Sequence, residues 1–132
     1  MPRRSRAREI VFQVLYQDDL NPNHSVSATD TFLRERLQNN QELIKFAQSL
    51  LSGTRRNRSE LDEMLKAKAD NWSLERMAAT DRNILRLAAF EILYSDTPDR
   101  VVINEAVELA KRYGSKQSPQ FVNGILDSLL PS

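Results

Sequence analysis

Apolar residues recur at three- and four-residue intervals through almost the whole chain, and that spacing confines it to packed α-helices. In the opening segment Ala7, Ile10, Val11, Val14 and Leu15 fall at i, i+3, i+4, i+7 and i+8, one stripe of a helix that either takes Ser5 as its cap or begins a residue or two earlier. Asp18, Asp19, Asn21, Pro22 and Asn23 give residues 18–27 the composition of a loop. A second helix is predicted from Ala28 to Gln38 with Phe32, Leu33 and Leu37 inward. Asn40 caps a third, which carries Leu43, Ile44, Ala47, Leu50 and Leu51 and stops at Gly53. Ser59 caps a fourth, bearing Leu61, Met64 and Leu65 as far as Ala69.

Beyond a short turn from Ser73 to Met77, Thr80 caps a helix in which Ile84, Leu85, Leu87, Ala88, Ala89, Phe90, Ile92 and Leu93 leave few polar gaps. A helix apolar nearly all round belongs at the centre, packed on several sides. Pro98 ends the following loop, and Val102, Ile103, Ala106, Leu109, Ala110 and Tyr113 mark the next helix, with Gly114 just past its end. Ser118 and Pro119 form an N-cap followed by proline, opening a last helix with Val122, Ile125, Leu126 and Leu129 buried. Gly124 inside that helix costs about 1 kcal/mol against alanine, so a close helix–helix approach is expected there.

With 132 residues the chain can bury a core without metal or disulfide staples, and it reads as one domain, 1–132. The absence of cysteine excludes a disulfide framework, zinc ribbons, iron–sulfur clusters and thiol catalysis. A lone histidine, His24 between Asn23 and Ser25, excludes a histidine triad or multi-histidine metal site. No metal or cofactor is expected. No apolar run approaches the roughly 20 residues of a membrane span, and no signal-peptide core follows the basic start, so a soluble cytoplasmic protein is expected.

The chain holds 19 Lys+Arg against 18 Asp+Glu, but their distribution is uneven. Arg3, Arg4, Arg6 and Arg8 crowd the start with Glu9 alone to offset them; Arg55, Arg56 and Arg58 form a second cluster, and Lys111, Arg112 and Lys116 a third. Acidic residues gather around Glu60, Asp62 and Glu63 and again at Asp70, Glu75 and Asp81. Arginine suits bidentate phosphate contacts, and a helix N-terminus adds a positive dipole end to them. Lys116, Ser118 and the amides opening the last helix make a second phosphate site. Arg8, Phe12 and Tyr16 form a column off the main stripe of the first helix; Phe12 is expected to pack on a neighbour while the Tyr16 hydroxyl stays free. Off-stripe aromatics beside arginines fit unpaired RNA, whose bases stack on flat side chains.

Catalytic machinery is missing. Asn104, Glu105 and Glu108 share a polar face, but Glu108 pairs with Lys111 or Arg112 along the helix more readily than it forms an acid pair. Asp18 and Asp19 read as loop formers rather than metal ligands, and Gly53 and Gly114 stand alone, so there is no phosphate-cradling loop.

Three segments together are distinctive: Asp81-Arg82-Asn83-Ile84-Leu85-Arg86-Leu87-Ala88, Val102-Ile103-Asn104-Glu105-Ala106-Val107-Glu108-Leu109-Ala110-Lys111, and Phe121-Val122-Asn123-Gly124-Ile125-Leu126-Asp127. With the arginine-rich start running into Val14-Leu15-Tyr16, they resemble the NusB family of transcription antitermination factors over essentially the whole chain. The resemblance implies an all-α protein of about seven or eight helices, two three-helix subbundles sharing a long central helix. It implies no catalysis. It also implies binding of boxA-type single-stranded RNA together with NusE, a small-subunit ribosomal protein, within an RNA polymerase elongation complex that carries other Nus factors and transcribes ribosomal RNA operons. On that likeness Arg3, Arg4, Arg6 and Arg8 occupy the RNA-binding segment, Tyr16, Tyr113, Gln117, Ser118 and Phe121 lie along the same surface, and Glu75 and Asp81 face NusE. Gln117 stands where some members carry an acid. Two alternatives accompany this reading: a NusB-like domain parted from a ribosomal RNA methyltransferase, and a helical dimerisation module that binds RNA weakly.

Overall fold

A computed structural model of the protein describes residues 3–23, 26–69 and 73–131. The described residues form seven helices: α1 (Arg4–Leu20), α2 (Val26–Arg36), α3 (Gln41–Arg56), α4 (Arg58–Lys68), α5 (Ala79–Tyr94), α6 (Asp99–Tyr113) and α7 (Ser118–Ser128). The described residues include no strand. The all-α expectation holds. α1, α2 and α3 pack on one another as one subbundle; α5, α6 and α7 form the second, with α4 against α5 and α7. α5 joins them, packing on α1, α3, α4, α6 and α7, which is why Ile84, Leu85, Leu87, Ala88, Ala89 and Phe90 are all buried. Leu93 and Tyr94, at its far end, emerge into solvent. Among the described residues no helix is long and apolar enough to cross a membrane.

Helix boundaries depart from the sequence reading wherever a distant partner decides them. α1 starts at Arg4 with Arg3 as N-cap, so Ser5 lies inside it, and it runs on through Asp18, Asp19 and Leu20. Those two aspartates are helical and salt-bridged, not loop formers: Asp18 holds Arg55 at 2.7 Å and Asp19 holds Arg82 at 2.7 Å. α2 starts at Val26, two residues before Ala28; His24, Ser25 and Asp70 lie outside the described residues. Asn40 does cap α3, its side chain accepting from the Leu43 N–H at 3.2 Å. The reversal before it uses positive φ at Gln38 (54°) and Asn39 (57°).

Gly53 does not end α3. The helix continues to Arg56, and Gly53 is buried where any side chain would overlap the Phe90 ring of α5. Asn57 and Ala78, rather than Ser59 and Thr80, occupy the N-cap positions of α4 and α5. Gly114 caps α6 with φ −96°, so a left-handed backbone is not its reason; a Cβ there would strike the Ser118 hydroxyl. Gln117 is the N-cap residue of α7, and Ser118 turns back to accept from the Ser115 N–H at 2.9 Å. The expectation at Gly124 is overturned: it is exposed, and a Cβ would meet nothing within 4 Å.

Candidate nucleic-acid interface

The start of α1 combines loose backbone donors with cations. The first intrahelical bond runs from the Ala7 N–H to the Arg3 carbonyl, so the N–H groups of Arg4, Ser5 and Arg6 have no partner inside the helix. Arg3 and Arg4 are exposed, and the Arg4 guanidinium lies 4.3 Å from the centre of the Phe46 ring of α3. Arg6 is half-buried and donates to Glu9 at 2.8 Å.

Arg8 is different in kind. It is 5% exposed and donates twice to Glu91 of α5, at 2.8 and 2.6 Å, and once to Glu105 of α6 at 3.0 Å. Burial alone would lower its pKa, but the Glu91 and Glu105 carboxylates raise it. The expectation that Arg8 meets RNA therefore needs correction: its guanidinium is spent on interior carboxylates. Period alone places residue 8 off the apolar stripe, and only the distant Glu91 and Glu105 reveal that this face is inside.

Glu9 ties α1 to α6. It accepts from Arg6 (2.8 Å), Arg112 (2.8 Å) and the Tyr113 hydroxyl (2.6 Å). Burial pushes its pKa up, but the hydrogen bonds from Tyr113, Arg112 and Arg6 outweigh this and hold it at about 2. Gln13 donates to the Tyr113 hydroxyl at 2.8 Å, so that hydroxyl is bound on both sides, and burial followed by its bond to Glu9 raises its pKa. Phe12 is buried against the Tyr113 ring at 5.0 Å between centroids, as expected. Tyr16 is half-buried, 6.2 Å from Phe12 between centroids, and forms one wall of an open groove of about 710 Å³ with Phe12, Phe32, Thr80 and Tyr113.

α6 thus carries both ends of the chain: side chains bridge it to α1, and it packs along α7. At the start of α7, Lys116 and Gln117 are exposed, Phe121 is half-buried against the core, and Ser118 is 2% exposed with its hydroxyl turned inward. Ser118 shapes the turn and presents no hydroxyl to a ligand. Two residues beside the arginine segment are not among the sequence-predicted site residues: Arg112, with 60% of its side chain exposed, and Phe46. In the sequence Arg112 stands out only as part of a basic cluster, and Phe46 only as an extra aromatic beside the α3 stripe.

The acidic surface is equally uneven. Glu75 is exposed in the turn before α5, while Asp81, in the first turn of α5, is 9% exposed, with a buried Oδ1 that has no hydrogen-bond partner among the described residues. Asp81 is thus recessed, not displayed. Behind Glu75 lies Asp19, which accepts from Arg82 (2.8 Å) and Asn83 (2.9 Å) and faces Arg86 and Arg58, each at 3.4 Å. Burial raises its pKa, but the bonds from Asn83 and Arg82 win and lower it. The arginine cluster at 55–58 is largely neutralised, Arg55 by Asp18 and Arg58 by Asp19 and Asp62.

The model of the NusB family matches residues 5–131 of this chain. A transcription antitermination protein NusB from Anaeromyxobacter dehalogenans is 46% identical over 127 residues, covering 96% of this chain and 89% of that protein. The solved structure of NusB from T. maritima superposes with a TM-score of 0.86 at 36% identity, covering 97% of this chain and 90% of that one. A structure of the antitermination factors NusB and NusE in complex with dsRNA matches with a TM-score of 0.78 at 29% identity, covering 96% of this chain and 94% of that one.

Proposed function

The chain belongs to the NusB family, and from that premise we propose that it is a non-catalytic transcription antitermination factor that binds RNA and a ribosomal-protein partner at two separate surfaces. The observation that carries the reading is the start of α1: exposed Arg3 and Arg4 beside amides that have no partner inside the helix, bridged through α6 to Arg112, Lys116 and Gln117. Cations and amide donors there suit phosphates, and Tyr16, Tyr113 and Phe121 supply ring surface nearby. The RNA is boxA-type single-stranded RNA. The partner is NusE, met by Glu75 and, at the start of α5, by the 9% of Asp81 left exposed. Together they act in the cytoplasm on RNA polymerase elongation complexes with other Nus factors. The whole chain, 1–132, serves as one RNA-binding domain. The curated relatives are antitermination proteins, which favours this reading over a domain of an RNA methyltransferase.

Replacing Arg3, Arg4 and Arg6 together by alanine tests the RNA half. Affinity for boxA RNA should fall, and the salt slope should flatten by about 0.7 for each phosphate no longer neutralised. Scrambled single strands and a duplex of the same sequence serve as controls, each with and without NusE. Unchanged affinity and slope would place the RNA elsewhere.

A further inference from the structure

We infer that Arg82 is a positioning residue that holds the 73–77 turn, and with it Glu75, in the conformation the ribosomal-protein partner meets; this rests on the partner reading above. The turn has little structure of its own. Its internal bonds run from the Arg76 and Met77 N–H groups to the Ser73 carbonyl, each at 3.1 Å, with a longer one from the Met77 N–H to the Leu74 carbonyl at 3.3 Å, and Ser73 Oγ accepts weakly from the Arg76 N–H at 3.3 Å. Leu74 and Met77 are buried beneath it while Glu75 and Arg76 face solvent.

Arg82 reaches back from the first turns of α5 and donates one guanidinium nitrogen to two carbonyls of the turn, Leu74 at 2.7 Å and Met77 at 3.1 Å. Its remaining nitrogens clasp Asp19 from α1, Nε at 2.8 Å and Nη2 at 2.7 Å. Asn83 fixes the same carboxylate from the side at 2.9 Å while donating to the Ala79 carbonyl at 2.8 Å. Asp19, Arg82 and Glu75 line one cleft of about 370 Å³ between the end of α1, α4 and the turn.

A planar fork is suited to this task because it addresses a carboxylate and two carbonyls at once, which an ammonium group cannot do from one position. Without it, both carbonyls are deprived of a charge-assisted bond and the turn regains backbone freedom. A partner must then order the turn on binding, and its affinity falls by that cost.

The test uses the full chain with purified NusE, boxA RNA as a second ligand, and amide hydrogen exchange. Arg82→Gln should weaken NusE binding about tenfold, speed exchange at Arg76 and Met77, and leave RNA-alone affinity unchanged. Arg82→Lys keeps the charge and should behave like Arg82→Gln; should the glutamine variant fail to fold, the lysine variant carries the test. With Glu75→Gln already in place, Arg82→Gln should cost little more, because it acts through Glu75. If Glu75→Gln weakens NusE binding but Arg82→Gln does not, or if the two losses simply add, the positioning role is wrong and the partner surface stands. A lysine variant with wild-type affinity would also overturn the role, since charge alone would then suffice. If Glu75→Gln has no effect on NusE, the partner reading fails and this inference falls with it.

Discussion

A missing methyl group has opposite consequences at two glycines. At residue 53 any Cβ would overlap the ring of Phe90, which is itself 8% exposed. Gly53→Ala should therefore cost about 1–3 kcal/mol as overpacking. At residue 124 the same change meets open space on a helix and should gain about 1 kcal/mol. Urea unfolding of both variants checks the contrast, and equal effects would contradict it. The sequence could not have sorted these two. Glycine after an apolar stripe is the commonest sign of a helix end, and glycine inside one is a sign of close approach. At 53 and 124 the signs are exchanged, because what decides is whether an aromatic ring from a helix far along the chain lies opposite.

Among the elements, α1 shows which information was local and which was not. Its buried stripe of Ala7, Ile10, Val11, Val14 and Leu15 was legible, because period and burial arise from the same geometry. So were the interior place of α5, the cap at Asn40 and the packing of Phe12. The fate of its charges was not. Arg8 and Arg3 look alike as residues, yet one is enclosed by Glu91 and Glu105 and the other faces water. Likewise Asp18 and Asp19 extend the helix because Arg55 and Arg82 receive them. Of the candidate RNA residues near the chain ends, Arg3, Arg4, Lys116 and Gln117 are exposed, while Arg8 and Ser118 are not. Removing the carboxylate in Glu91→Ala leaves a buried guanidinium with Glu105 alone and should cost about 3 kcal/mol. Chemical unfolding measures it, and a loss under about 1 kcal/mol would mean the pair is poorly desolvated.

For the molecule as a whole, charge pairing joins the two subbundles, and acid should loosen it. Glu9 titrates at about 2 in the folded chain, far below an unconstrained glutamate, and Asp19 is also lowered. A depressed carboxylate contributes stability that is fully present above its unfolded value and is lost as pH falls toward its folded one. The melting temperature should thus hold near neutrality and drop between about pH 4.5 and 2. Glu9→Gln should flatten that drop, and an unaltered acid limb in the variant would show that other groups govern it.

The two donors that reach Glu9 from α6 lie 103 and 104 residues further along the chain. At roughly 5–20 residues per second of synthesis, a gap of about 100 residues is an interval of about 5–20 s. Through that interval Glu9 still lacks its α6 partners, and Arg8 waits 83 residues for Glu91 and 97 for Glu105. The clasp that closes the molecule therefore waits on α6, and the arginine end is fastened only after residues about a hundred positions later have been made.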